Sequence, residues 1–143
     1  RKDYVNEPTG FDKWRVVLPN ANGTGALGEV LSTPLIGEPL IGEPLIGFTE
    51  TFISIGAFDK EIEAQNWFKY VKLKFARTML GLLKVTQHNT SAKWKYVPLQ
   101  DFTSNSDIDW AQSVKSIDQQ LYKKYGLDQN EIDFIENKVQ AMD

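Results

Sequence analysis

The sequence predicts an α+β fold: a small, mainly antiparallel sheet packed on one long helix, with a helical hairpin at the C-terminal end. Three observations predict it. Short β-prone runs bounded by Pro and Gly occupy the first third of the chain. From Lys60 to about Thr86, apolar residues recur at the spacing of a core-facing helix. Beyond Ser106, two further helical periods follow, each behind its own start signal.

Taken in order, residues 1 to 13 are polar, with Asn6-Glu7-Pro8-Thr9-Gly10 reading as a turn. Trp14 to Leu18 is a β-prone run stopped by Pro19. The stretch Asn20 to Gly28 holds three glycines and reads as a loop; without a Gly-Lys-Ser/Thr ending it does not match a phosphate cradle. Glu29 to Leu35 is a candidate second strand. Then Leu35-Ile36-Gly37-Glu38-Pro39 repeats as Leu40-Ile41-Gly42-Glu43-Pro44 and begins again at Leu45-Ile46-Gly47. A period of five fits neither a helix nor an alternating strand, and each Gly-Glu-Pro favours a turn, so residues 35–47 are expected to form an irregular loop or a bent sheet edge.

Thr49 to Ile55 alternates as a strand between Gly47 and Gly56. Asp59 is the expected N-cap of the long helix, with Glu61 and Glu63 in its first turn, where acidic groups oppose the helix dipole favourably. Phe68, Val71, Phe75, Met79 and Leu82 form one stripe, widened by Leu73, Ala76, Leu80 and Leu83. Unbroken, this helix would be roughly 40 Å long. Thr86 to Ser91 is a polar break, and in Lys93 to Leu99 the alternation sets Trp94 and Tyr96 on one face and Lys93 and Lys95 on the other. Asp107 or Asp109 is expected to cap a helix carrying Trp110, Val114, Ile117, Leu121 and Tyr125, closed by Gly126. Asp128 with Glu131 makes a capping-box pair ahead of Ile132, Ile135, Val139 and Met142.

With 143 residues the chain fits a single domain, 1–143. It has no cysteine and one histidine, which removes disulfides, thiolate nucleophiles, sulfur-ligated zinc and most histidine metal clusters. No run approaches the roughly 20 apolar residues of a membrane helix, so no membrane partner is expected and a cytoplasmic location is. A first residue other than Met fits a fragment of a longer polypeptide.

Net charge is −3, but the distribution is uneven. Residues 1–65 carry a net −5, residues 66–100 a net +7 with no Asp or Glu, and residues 101–143 a net −5. A polyanion would therefore be drawn to the middle and repelled by both flanks. On a helical wheel, Lys69, Lys72, Lys74, Arg77 and Lys84 fall on the broad side away from the Phe68/Phe75 stripe, and Lys84 leads into Gln87, His88, Asn89 and Thr90. The lysines and Arg77 suit phosphate contacts, while Gln87 and Asn89 carry the paired donor and acceptor that can read an adenine edge. Lys93 and Lys95 extend the same charge.

Catalytic constellations are weak by comparison. There is no Gly-x-Ser-x-Gly, His88 has no sequence-defined partner, and the carboxylates have no defined separation. Glu136-Asn137-Lys138 has the Glu-x-Lys spacing of metal-dependent nucleases, with Asp128 or Asp133 upstream, but it falls inside a helical pattern. A small metal-dependent nuclease is one alternative. Another is an assembly module docking through the long helix, with Trp67, Tyr70 or Leu73 as an exposed apolar patch.

An ordered set of phrases covers most of the chain: Leu31-Ser32-Thr33-Pro34-Leu35-Ile36-Gly37-Glu38-Pro39, Thr49-Glu50-Thr51-Phe52-Ile53-Ser54-Ile55-Gly56, Lys72-Leu73-Lys74-Phe75-Ala76-Arg77, Leu83-Lys84-Val85-Thr86-Gln87-His88-Asn89-Thr90, Val97-Pro98-Leu99-Gln100-Asp101-Phe102 and Leu121-Tyr122-Lys123-Lys124-Tyr125-Gly126-Leu127, followed by Glu131-Ile132. This set resembles the C-terminal target-recognition region of type II restriction–modification enzymes fused to an adenine-specific DNA methyltransferase. The resemblance implies a non-catalytic domain that binds duplex DNA while methyltransferase and nuclease domains of the parent polypeptide act. It implies that Lys84, Gln87, His88, Asn89 and Thr90 lie at the DNA face, with Lys72, Arg77, Lys93 and Lys95 supporting the backbone grip. The Asn-Pro-Pro-Tyr-type motif and the cofactor-binding glycine motif are missing, so neither S-adenosylmethionine binding nor any other cofactor is expected in this chain. The tandem Leu-Ile-Gly-Glu-Pro units depart from the family pattern, in which one unit leads directly to the Thr-Glu-Thr strand.

Overall fold

A computed structural model describes residues 10–19, 39–48, 51–83 and 97–142. They form an α+β arrangement of a three-stranded antiparallel sheet and four helices. The strands are β1 (Trp14–Pro19), β2 (Leu40–Gly42) and β3 (Phe52–Phe58). The helices are α1 (Glu61–Lys72), α2 (Lys74–Leu83), α3 (Val114–Lys124) and α4 (Gln129–Lys138).

The central strand is β1, paired with β2 on one side and β3 on the other. Val16, Val17 and Leu18 are all buried, which is why this run reads as continuously apolar and not as alternating. Pro19, expected to stop the strand, is its last residue and lies opposite Phe52; a proline is tolerated at a strand end. The middle pentapeptide unit supplies β2, with Arg15 opposite Gly42 and Val17 opposite Leu40. Glycine suits that site, since a Cβ at Gly42 would sit 3.2 Å from the Val17 side chain. The candidate strand at Glu29–Leu35 lies outside the described residues.

The strand expected at Thr49–Ile55 is shifted towards the C-terminus, and Gly56 lies inside it. Trp14 pairs with Phe58 and Val16 with Ile55, so β3 carries one extra residue there, a β-bulge. Gly56 absorbs it with a φ of +77°. The bulge leaves the Ile55 carbonyl to accept from Trp67 Nε1 at 3.0 Å, which ties β3 to α1.

The single long helix is not observed. It breaks at Leu73, whose φ of −61° and ψ of 144° are extended, and a second helix, α2, starts at Lys74. The cause is tertiary. Two carboxylate oxygens of Asp118, on α3, accept from the Phe75 and Lys74 backbone N–H groups at 2.9 and 3.1 Å. They satisfy donors that a new helix start would otherwise leave unpaired. The break lets the Phe68/Val71 and Leu73/Phe75/Ala76/Leu80 stripes meet different neighbours: α1 contacts β1 and β3, and α2 contacts α3 and α4.

Two capping expectations resolve differently. Lys60, not Asp59, occupies the N-cap of α1 and gives no side-chain cap, because Asp59 pairs with Lys13. Ser113, not Asp107 or Asp109, caps α3, accepting from Ser116 N at 3.3 Å. Trp110 therefore precedes that helix, and its Nε1 donates to Asp101 O at 2.8 Å. The Asp128–Glu131 capping box forms as expected, and Gly126 takes φ +64° just beyond α3.

The core runs from the sheet through an aromatic cluster to the C-terminal helices. Trp67 meets Phe102 edge-on at 5.0 Å, Phe102 lies 5.0 Å from Trp110, and Phe75 stacks on Tyr125 at 5.0 Å. Such pairs add about 0.5–1.5 kcal/mol each beyond their burial. Trp67, Tyr70 and Leu73 are all buried, so the exposed docking patch expected of them does not exist. Among the described residues, no helix is long and apolar enough to cross a membrane.

Candidate nucleic-acid interface

The ten residues expected to meet DNA divide into two groups. Lys84, Gln87, His88, Asn89, Thr90, Lys93 and Lys95 lie outside the described residues. Lys69, Lys72 and Arg77 are described; the first two lie on α1 and Arg77 on α2, beyond the helix break.

Arg77 is 0% exposed. Its Nε donates to Lys72 O at 3.0 Å and its Nη2 to Gln140 O, so the guanidinium joins the end of α1 to the segment beyond α4. Burial pushes its pKa down to about 10, against the attraction of Asp118. Lys72 is 6% exposed, with Nζ 4.6 Å from the Phe68 ring centroid. The wheel of a straight helix, with both cations on the open side, is thus corrected. Once the helix bends at Leu73, α3 and α4 cover that side of α2.

Lys74 is also engaged. Its Nζ donates to Glu136 Oε2 at 2.6 Å and to the Glu136 carbonyl at 3.0 Å. Glu136 Oε1 accepts from Tyr122 at 3.0 Å. Burial pushes the Glu136 carboxyl up, but the hydrogen bonds from Lys74 and Tyr122 outweigh it and hold the group below the usual glutamate range. Glu136 is thus part of a helix-joining polar network. Among the described residues, no group of three acidic or histidine side chains could hold a metal ion.

Lys69 keeps partial exposure and donates to Trp110 O at 2.7 Å. It forms one wall of a cleft of about 750 Å³ between α1 and the 102–111 segment, which also bears Lys60, Glu63, Asp107 and Asp109. Acidic groups outnumber basic ones here, so the cleft is not an anion channel. A hydrogen bond from Gln112, helped by the Ala111 backbone, holds Asp109 below the usual carboxylate range.

Two residues central to this geometry did not stand out in the sequence. Asp118 sits beside Ile117 on the apolar stripe of α3, and a carboxylate flanking a core position is the signal that marks it. Arg15 interrupts the apolar run Trp-Arg-Val-Val-Leu and is buried with it.

No protein-family description, curated protein or solved structure matches the chain.

Proposed function

We propose that the chain is a non-catalytic sequence-recognition domain that binds duplex DNA on behalf of the methyltransferase and nuclease domains of a longer polypeptide. The observation that carries this reading is the Asn66–Gln100 stretch, with seven cations and no carboxylate in an otherwise acidic chain. The ordered resemblance to target-recognition regions supports it independently. The burial of Lys72 and Arg77 and the pairing of Lys74 with Glu136 refine the roles. In this reading those three hold α2 in position, Lys69 is committed to the Trp110 carbonyl in an acidic cleft, and direct contacts fall to Lys84, Gln87, His88, Asn89, Thr90, Lys93 and Lys95. Gln87 and Asn89 read base edges, and the lysines grip phosphates.

Fluorescence anisotropy with a labelled duplex at two ionic strengths tests it. Affinity is expected to fall as salt rises, by about 0.9 of a log unit per log unit of salt for each phosphate neutralised. The Lys84→Glu/Lys93→Glu double variant should bind about tenfold more weakly or worse, with a shallower salt slope, while Lys138→Glu on α4 should change neither. Absence of binding at low salt, or binding indifferent to the double charge reversal, would overturn the reading.

A further inference from the structure

Arg15 is 3% exposed, yet its guanidinium meets no carboxylate among the described residues. Nη2 donates to Ile46 O at 2.6 Å, and Cζ lies 5.9 Å from the Phe11 ring centroid and 5.2 Å from that of Phe48. Nε is buried with no hydrogen-bond partner. Arg77 is as deeply buried and also has one unpartnered nitrogen, Nη1, but it differs in being attracted by the Asp118 carboxylate. An arginine sandwiched between rings gains from their faces, but two phenyl rings do not replace an anion.

The segment around it is unusual in a second way. Leu45 holds φ at +67°, a left-handed conformation that disfavours a leucine, and its side chain is 61% exposed. Its N–H donates to Phe11 O at 2.7 Å, which fixes it beside the guanidinium. Ile46 and Phe48 are exposed as well. Apolar side chains thus ring a buried cation that meets no counterion among the described residues.

We infer that Phe11, Arg15, Leu45, Ile46 and Phe48 form a protein-docking surface, and that its partner presents a carboxylate within an apolar contact. Charge complementarity fixes the class of occupant. The carboxylate accepts from Arg15 Nε–H as the exposed Phe48 ring gives way, and Leu45 and Ile46 exclude water around the pair. A nucleic-acid phosphate fits less well, because the rim is apolar and Lys13, two residues before Arg15, is paired with Asp59. This surface shares no residue with the proposed DNA contacts, so either reading can fail without the other.

The chain has three arginines, so its Nε–H spectrum is sparse and Arg15→Lys assigns the Arg15 resonance. The probe is the blocked tripeptide acetyl-Leu-Glu-Leu-amide. Titration is expected to shift the Arg15 Nε–H signal saturably and slow its exchange with water, with the glutamine analogue binding about tenfold more weakly or worse. Leu45→Gly, which relieves the left-handed strain and keeps the fold, should leave the free signal in place but weaken the peptide. The proposal is overturned if the glutamate peptide gives no saturable shift, or if the glutamine peptide binds equally. It is also overturned if inorganic phosphate or duplex DNA moves the signal as strongly, or if protein concentration alone does so, which would make a second copy the occupant.

Discussion

Asp118 belongs to α3 but serves α2. Its two oxygens accept from Lys74 N and Phe75 N, and at 2% exposure it is sealed from water. Burial pushes its pKa up to about 6 from an ordinary 3.8, and the two backbone donors limit the rise. A carboxyl with a raised folded pKa contributes stability that is complete below about pH 3.8 and is lost as pH rises through about 6. Asp118→Asn removes that titration. The stability of the wild type relative to this variant should therefore fall between pH 4 and pH 7, by roughly 3 kcal/mol at most. Urea unfolding at both pH values measures it, and a difference independent of pH would refute the assignment. Arg77 shows the same physics with opposite charge. Neither reads as buried in the sequence, where Arg77 falls on the side away from the apolar stripe and Asp118 does not stand out, because Phe75 and Gln140, which they meet, lie more than 40 residues from them.

Elements built on local signals were legible. The Asp128–Glu131 box and Gly126 encode their own geometry within a few residues, and both form. The Phe68–Met79 period likewise marked helix, but its continuity past Leu73 was not decided there. A leucine is a good helix former, and only the Asp118 carboxylate makes a second start at Lys74 worthwhile. The β3 bulge has the same origin. Gly56 looked like a terminator, yet it lies in the ladder because β1 pairs on both sides of it. Gly56→Ala should destabilise by more than about 2 kcal/mol. A Cβ there would lie 2.5 and 2.7 Å from two Phe58 ring carbons, at a φ of +77°. Thermal unfolding followed by tryptophan fluorescence reads this directly; an unchanged midpoint would mean that the bulge relaxes.

At the scale of the whole molecule, the segment after α4 acts as a clasp. Val139 is buried, and the Gln140 carbonyl receives Arg77. Ending the chain at Lys138 exposes a buried guanidinium and removes an apolar anchor, with an expected loss of about 3–5 kcal/mol. The unfolding midpoint should drop by about 10 °C. A midpoint within a degree or two of the intact chain would show that Arg77 is held by Lys72 O and Asp118 alone. By itself the sequence determined the α+β class, the β-prone run at Trp14–Leu18, the helical hairpin and the concentration of positive charge between Asn66 and Gln100, because periodicity, caps and composition act over a few residues. Only the tertiary structure decided which of those charges face inward. Whether Lys72, Lys74 and Arg77 meet solvent depends on where α2 turns, and that is set by Asp118 and Glu136 from the far end of the chain.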